Sequence, residues 1–319
     1  MSTEVNLAND VELSVNVCAR DVGFFEPTYR HLIKGLRYPF KTRRLIVDRS
    51  VPTGRFATSD LNEQTFDQAL QSLVDDGLVD VIDEVDWSED VVQRVMRKFF
   101  GRATAPTRCA AGSPIYQYLF AIEQATSPYL LHFDNDILVH MRDGCTWIDH
   151  AIELMRSNER VVFATPEGGP AQATGAMGWV FGRRARTDRR WQRAASVSTR
   201  YFLLDRDRFN AAVLPLVVDR AGETLERTIT ASVHRQGLER QSIADDFNWV
   251  IHPRRHNRNH IDNLPELIQL VESNKAPFRR TGYRWDLRTE GRHFLPWLLA
   301  IKRQQLLSGR LLPQQRINR

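Results

Sequence analysis

The chain has 319 residues, 42% of them hydrophobic and 26% charged, which suits one large or two modest folded domains and excludes wholesale disorder, collagen and coiled coil. Its longest uninterrupted apolar stretch, Phe294 to Ile301, is far shorter than the roughly 20 residues that cross a bilayer. The formal charge of +5 comes from one end: residues 252–319 hold 14 Lys+Arg against 5 Asp+Glu, while residues 1–251 hold 30 against 34.

Val11 to Val17 reads as a strand, and Pro27 to Leu36 as a helix with Tyr29, Leu32, Ile33 and Leu36 at helical spacing. Leu45 to Val47 is a short buried strand ending at Asp48, and Val51-Pro-Thr-Gly54 is a turn. A helix over Leu61 to Val74 leads into a strand, Leu78 to Val85. Ser88 can cap a helix over Val91 to Phe100, whose first turn is acidic as the helix dipole favours. Pro114 to Ala125 is helical, and Tyr129 to Phe133 is an almost wholly apolar strand, the pattern of one covered on both faces. Thr146 to Met155 is a helix; Val161 to Ala164 and Tyr201 to Leu204 are strands. A glycine-rich loop (Gly168, Gly169, Gly175, Gly178) precedes the charge run Arg183 to Arg193, and Asp245-Asp246 is an acidic turn entering a strand. From Pro253 the chain reads as basic and loop-rich until an amphipathic helix over Pro296 to Leu307. Alternating short strands and helices predict a doubly wound α/β sheet with helices on both faces.

The three cysteines, Cys18, Cys109 and Cys145, fit no disulfide framework or zinc pairing and favour a reducing compartment. Residues Met1 to Asp10 lack a basic start and an apolar core, so no secretory signal is expected and the expectation is a cytoplasmic globular protein. Only five residues are lysine, against 39 arginines, a skew most simply ascribed to genomic composition. The basic end suits nucleic acid, an anionic membrane surface or an anionic substrate.

The most informative segment is Tyr129-Leu-Leu-His-Phe-Asp-Asn-Asp136. In open α/β sheets ligands bind beyond the carboxyl ends of strands. Two carboxylates at i and i+2 there repel each other in a partly desolvated crevice, and a divalent cation removes that cost. Hard oxygen ligands suit Mg²⁺ or Mn²⁺, which commonly bridge to substrate phosphates. The alternative is an acidic turn or a helix cap.

With Leu13-Ser-Val-Asn-Val17, Leu45-Ile-Val-Asp48, Gly112 before a helix, Ser127 to Asp136, and Ala244-Asp245-Asp246, residues from about 11 to 256 resemble a nucleotide-sugar glycosyltransferase of the GT-A fold, closest to the family-2 type. The resemblance implies a domain over 1–255, with a nucleotide-binding half at about 11–140 and an acceptor half at about 141–255, followed by a basic extension over 256–319. It implies a nucleoside-diphosphate sugar donor, uridine-based, a hydroxyl acceptor, and Mn²⁺ or Mg²⁺. By it, Ala19 and Arg20 at the end of the first strand and Asp48 at the end of the second hold the nucleotide, with Arg108 a further candidate. Asp134, Asn135 and Asp136 face ribose, diphosphate and metal. Asp246, with Asp245 as alternate, deprotonates the acceptor in an inverting transfer. His252 stands where a third metal ligand falls in related enzymes. His256 and His260 repeat at four-residue spacing, but Pro253 and the asparagines argue for a loop there.

Arg254 and Arg255 suit diphosphate oxygens because guanidinium forks match them. Trp179 either stacks on a sugar ring or lies in the core. The C-terminal helix, with Trp297, Leu298, Ile301, Lys302 and Arg303, either rests on an anionic membrane or docks on its own domain. The family's Gln-x-x-Arg-Trp element is missing, with Arg190-Trp191 a partial echo, and the Glu-Asp pair is Asp-Asp, which leaves base and stereochemistry open. Two other readings stand beside this one. A haloacid-dehalogenase-type phosphohydrolase would use Asp134 as nucleophile, although four strands precede it here. A nucleic-acid binder would use the basic end, but no binding motif accompanies the charge, so no nucleic acid is expected.

Overall fold

The computed structural model describes residues 10–51, 62–144, 146–169, 190–244, 247–276, 286–291 and 294–307. Strand β1 (Val11–Cys18) is followed by helix α1 (Phe25–Leu36), β2 (Thr42–Asp48), α2 (Glu63–Asp75), β3 (Val81–Glu84), α3 (Glu89–Phe100) and α4 (Tyr116–Gln124). Then come β4 (Tyr129–Asp134), β5 (Leu138–Met141), α5 (Trp147–Ser157), β6 (Val161–Gly168), β7 (Arg190–Ala194) and β8 (Tyr201–Asp205). The last part holds α6 (Arg206–Arg208), α7 (Leu225–Arg235), β9 (Glu239–Ala244), β10 (Asn248–Pro253), α8 (Arg258–Asp262), α9 (Leu264–Glu272), β11 (Asp286–Leu287) and α10 (Leu295–Leu307).

The strands form one mixed sheet in the order β11-β10-β6-β8-β4-β1-β2-β3. Its half from β3 to β4 is parallel, and β8 runs antiparallel to both β4 and β6. This is the α/β architecture expected from the sequence. Alternation along the strands divides the core in two. Leu45, Val47, Leu131, Phe133 and Leu203 face α1, α2 and α5, while Ile46, Leu130, Phe202 and Leu204 face α3, α4 and α7. A central strand covered on both faces should be apolar throughout, yet β1 buries Glu12, Ser14 and Asn16 on its second face. Glu12 is accommodated because Arg44 Nε donates to it at 2.7 Å and the Thr126 amide at 3.0 Å. Removing one partner of such a pair costs about 3–5 kcal/mol.

Residues beyond Pro253 are more structured than a loop-rich stretch. Leu264, Leu267, Leu270 and Val271 of α9, Trp297 and Ile301 of α10, and Leu287 of β11 form a third core with Phe24, Leu138, Trp249 and Ile251. Ser88 occupies the α3 N-cap without a side-chain cap bond, and its amide donates to Asp86 Oδ1 at 2.8 Å. The α10 helix is present, but its apolar residues occupy both its inner and outer faces rather than one stripe.

α9 is fastened to α1 through polar groups. The Val139 amide donates to His31 Nε2 at 3.0 Å, which leaves the ring proton on Nδ1 for Glu272 Oε1, 3.0 Å away. Lys34 Nζ donates to Glu272 Oε2 at 2.8 Å. The His31 hydrogen bond, with Lys34, holds the Glu272 carboxyl down to about 2. A folded-state value below the unfolded one stabilises above the usual carboxylate range, and the stabilisation fades as pH falls through it. Glu272→Gln should therefore lower the urea midpoint at neutral pH, and the gap to the parent should close as pH approaches about 2; a pH-independent gap would contradict the assignment.

Candidate functional site

The site lies beyond the carboxyl ends of β2, β1 and β4. Asp134 ends β4, and a turn closed by the Ile137 amide on the Asp134 carbonyl (3.3 Å) presents Asn135 and Asp136. The chain then reverses into β5, which pairs antiparallel with β10 so that Leu138 lies opposite Ile251. That register carries His252, the next residue of β10, to the Asp136 turn. His252 Nε2 lies 3.2 Å from Asp136 Oδ2, and His256 Nε2 lies 2.9 Å from the same oxygen. His256 is held by stacking on Phe24, with ring centroids 4.1 Å apart. The three histidines do not share a helix: His252 is in β10, His256 in the following loop and His260 in α8.

Burial pushes the Asp136 carboxyl up, but the His252 and His256 imidazoles outweigh it and hold the group well below the usual carboxylate range. Its other oxygen, Oδ1, is buried with no hydrogen-bond partner among the described residues. An acceptor of that kind asks for a donor or a cation. Asp134 is tuned the other way. Burial lifts its carboxyl, the His132 imidazole opposes this, and the charge of Asp136 lifts it further. Tyr118 Oη donates to both Asp134 oxygens at 2.9 and 3.0 Å, and burial pushes that phenol well above its ordinary value, so it remains a donor. His132 Nε2 is 3.6 Å from Asp134 Oδ1, too long for a hydrogen bond.

Arg200 feels the charge of both carboxylates. Burial opposes its charge, but Asp134 and Asp136 raise its pKa. Its Nη1 is 3.1 Å from His252 Nδ1. A guanidinium only donates, so Nδ1 accepts and the His252 proton sits on Nε2, directed at Asp136. Ligation through Nε2 would require that proton to leave and Arg200 to turn away, so His256 is the imidazole better placed to join Asp136 on a cation. Among the described residues no three or more His, Cys, Asp and Glu side chains form a closed metal cage. A site completed by substrate oxygens needs fewer protein ligands.

A second polar cluster lies at the end of β2. Asp48 is 5% exposed. Its Oδ1 accepts from Trp87 Nε1 at 3.0 Å and from the Ser50 amide at 2.9 Å. Its Oδ2 faces Arg108 Nη2 at 3.9 Å, and that nitrogen donates to Ser50 Oγ at 3.0 Å. The Arg108 guanidinium also lies 5.9 Å from the Trp87 ring centre. Between the two clusters, the turn after β1 contributes Asp21, whose Oδ2 accepts from Asn135 Nδ2 at 2.8 Å and from the Cys18 amide at 3.1 Å. Burial raises the Asp21 carboxyl.

Among the expected site residues, Asp134, Asn135, Asp136 and His252 come together, and Asp48 and Arg108 meet in the second cluster. Ala19 is buried and Arg20 half-buried in the turn after β1. Arg254 and Arg255 are exposed, with Arg255 3.7 Å from Glu290. Trp179, Asp245 and Asp246 lie outside the described residues. Tyr118, Arg200, His256, Trp87 and Asp21 were not among the expected set, and of these only His256 carried a sequence signal, its place in the histidine run.

No protein-family model matches the sequence, and no curated protein matches it. Among solved structures the chain is similar to GalNAc-T7 crystallised with UDP, GalNAc and Mn²⁺, with 13% identity and a TM-score of 0.46, over 76% of this chain and 43% of that one. It is also similar to TarS of S. aureus, with 11% identity and a TM-score of 0.43, over 83% and 41%. A mycobacterial protein aligns at 7% identity and a TM-score of 0.39, over 82% and 72%. The chain thus spans less than half the length of the first two.

A raised carboxylate in the folded state costs stability above the usual carboxylate range and returns it on protonation. Asp134→Asn should therefore raise the melting temperature of the metal-free protein at neutral pH, by an amount that shrinks on acidification; a lower melting temperature at neutral pH would contradict the assigned burial cost.

Proposed function

We propose that the protein is a metal-dependent glycosyltransferase that moves a sugar from a nucleoside-diphosphate sugar, a uridine diphosphate sugar by preference, to an acceptor hydroxyl. The observation that carries this is the pairing of two polar clusters across β1. β2, which ends at Asp48, and β4, which ends at Asp134 just before Asp136, flank β1 and so lie two strand spacings apart, about 10 Å, the reach of a nucleoside from its base to its phosphates. Their place beyond the strand ends is where open α/β sheets bind such ligands.

The roles follow from the donor chemistry. With Oδ1 of Asp48 occupied by Trp87 and Ser50, Oδ2 is left to accept one base N–H, and Arg108 beside it can donate to an adjacent carbonyl. Uracil offers that donor–acceptor pair; guanine offers it at N1–H and O6 but adds an amino donor that asks for the second carboxylate oxygen, which Trp87 and Ser50 already occupy. Asp136 and His256 would hold the cation, with Asp134 beside them and His252 joining once Arg200 releases its Nδ1. A carboxylate with imidazole fits Mn²⁺ better than Mg²⁺, which prefers oxygen alone. When bound, the cation would neutralise the departing diphosphate. Arg200 would add a fixed positive charge beside those oxygens, and Tyr118 would keep Asp134 from swinging away. Asp246, with Asp245 as alternate, would take the acceptor proton in an inverting displacement; in the sequence only Phe247 separates Asp246 from β10, which carries His252.

The phosphohydrolase alternative needs Asp134 free to attack phosphorus, and Tyr118 engages both its oxygens.

A ligand that binds only the folded state raises its stability. Uridine diphosphate with Mn²⁺ should raise the melting temperature more than guanosine diphosphate with Mn²⁺, and more than uridine diphosphate alone. Asp136→Ala should abolish the metal-dependent part and lower turnover of the accepted donor by about 10²–10³-fold. No shift with any nucleoside diphosphate would refute the proposal.

A further inference from the structure

α10 is apolar where it meets water. Leu295, Leu299 and Leu306 are 53%, 60% and 73% exposed. At 3.6 residues per turn they fall within about 40° of one another around the helix. Lys302 lies on the same stripe and Arg303 beside it, both exposed, and α10 has no Asp or Glu. The helix is already anchored by its other side, where Trp297 and Ile301 enter the third core and Gln305 Nε2 donates to Glu266 Oε1 of α9 at 3.3 Å. The outward leucines are therefore not needed to hold α10 in place. The other large apolar residues exposed among the described residues, Val51, Val74, Ile82, Val217 and Ile261, are scattered one to a segment, which is ordinary; three in line are not.

We propose that this stripe rests on an anionic lipid surface. The leucines would enter the boundary between headgroups and acyl chains, and Lys302 and Arg303 would meet lipid phosphates. The placement of Lys302, between Leu299 and Leu306, selects a bilayer over a protein groove. A protein partner would have to desolvate the ammonium at the centre of its interface, where lysine is depleted. At a bilayer its methylene stem lies along the apolar layer while the charge reaches the phosphates. The excess of 14 Lys+Arg over 5 Asp+Glu in residues 252–319 acts in the same direction.

The test is co-sedimentation of the full chain with phosphatidylcholine vesicles, with and without phosphatidylglycerol. The protein should partition onto the anionic vesicles, weakly onto the neutral ones, and lose binding in high salt. The variant Leu295→Ser/Leu299→Ser/Leu306→Ser should lower partitioning roughly tenfold or more at an unchanged melting temperature. The exposed pair Lys302→Gln/Arg303→Gln, which leaves the third core untouched, should lower it about fivefold per cation removed. Absence of vesicle binding, or binding that neither variant weakens, would overturn the proposal. So would a dimer in light scattering that the leucine variant converts to monomer, since the face would then belong to a second copy of the chain.

Discussion

Two carboxylates two residues apart, at the buried end of a central strand, are the constraint around which this end of the molecule is arranged. Burial penalises both charges and their proximity penalises them again. The penalty is divided unequally. Asp136 keeps its charge because two imidazoles converge on one of its oxygens, whereas Asp134 is held by a neutral phenol and its carboxyl rises. Arg200 feels both charges and supplies the one permanent positive charge in this cluster of described groups. What is left over is Asp136 Oδ1, a buried acceptor facing no donor. Among the described residues Glu12, by contrast, is buried with Arg44 as its partner, and in the proposed function the open Asp136 oxygen is where the cation binds.

Several distant segments serve this one arrangement. Phe24, just after β1, both stacks on His256 and lines the third core with α9 and α10. His31 of α1 ties α9 and β5 together through Glu272 and the Val139 amide. Because β5 sets the register that brings His252 to Asp136, the packing of the C-terminal helices and the geometry of the carboxylate cluster are parts of the same structure.

The sequence displays what depends on local pattern. The apolar run of β4 ending in Asp-Asn-Asp, the strand ending at Asp48, and the helical spacing in α1, α2 and α5 all place correctly, because burial on a repeating face leaves a periodic trace. The rest depends on pairings between remote segments. β7 and β9 are rich in arginine, glutamine and glutamate and give no apolar alternation, and α7 is broken up by threonine and serine. Tyr118 lies 16 residues from Asp134, and His256 lies 120 from Asp136. A histidine among arginines and asparagines looks solvated until Phe24 is seen stacked on it. Conversely, α10 reads as amphipathic in one dimension, and only its packing shows apolar residues on both sides.

The most direct test of a cation held by Asp136 is the anomalous difference map at the manganese edge from a crystal grown with Mn²⁺ and uridine diphosphate. A peak at bonding distance from the Asp136 carboxylate and His256 Nε2, bridged to diphosphate oxygens, is the predicted result. A nucleotide seated at Asp48 with no manganese peak beside Asp136 would contradict it.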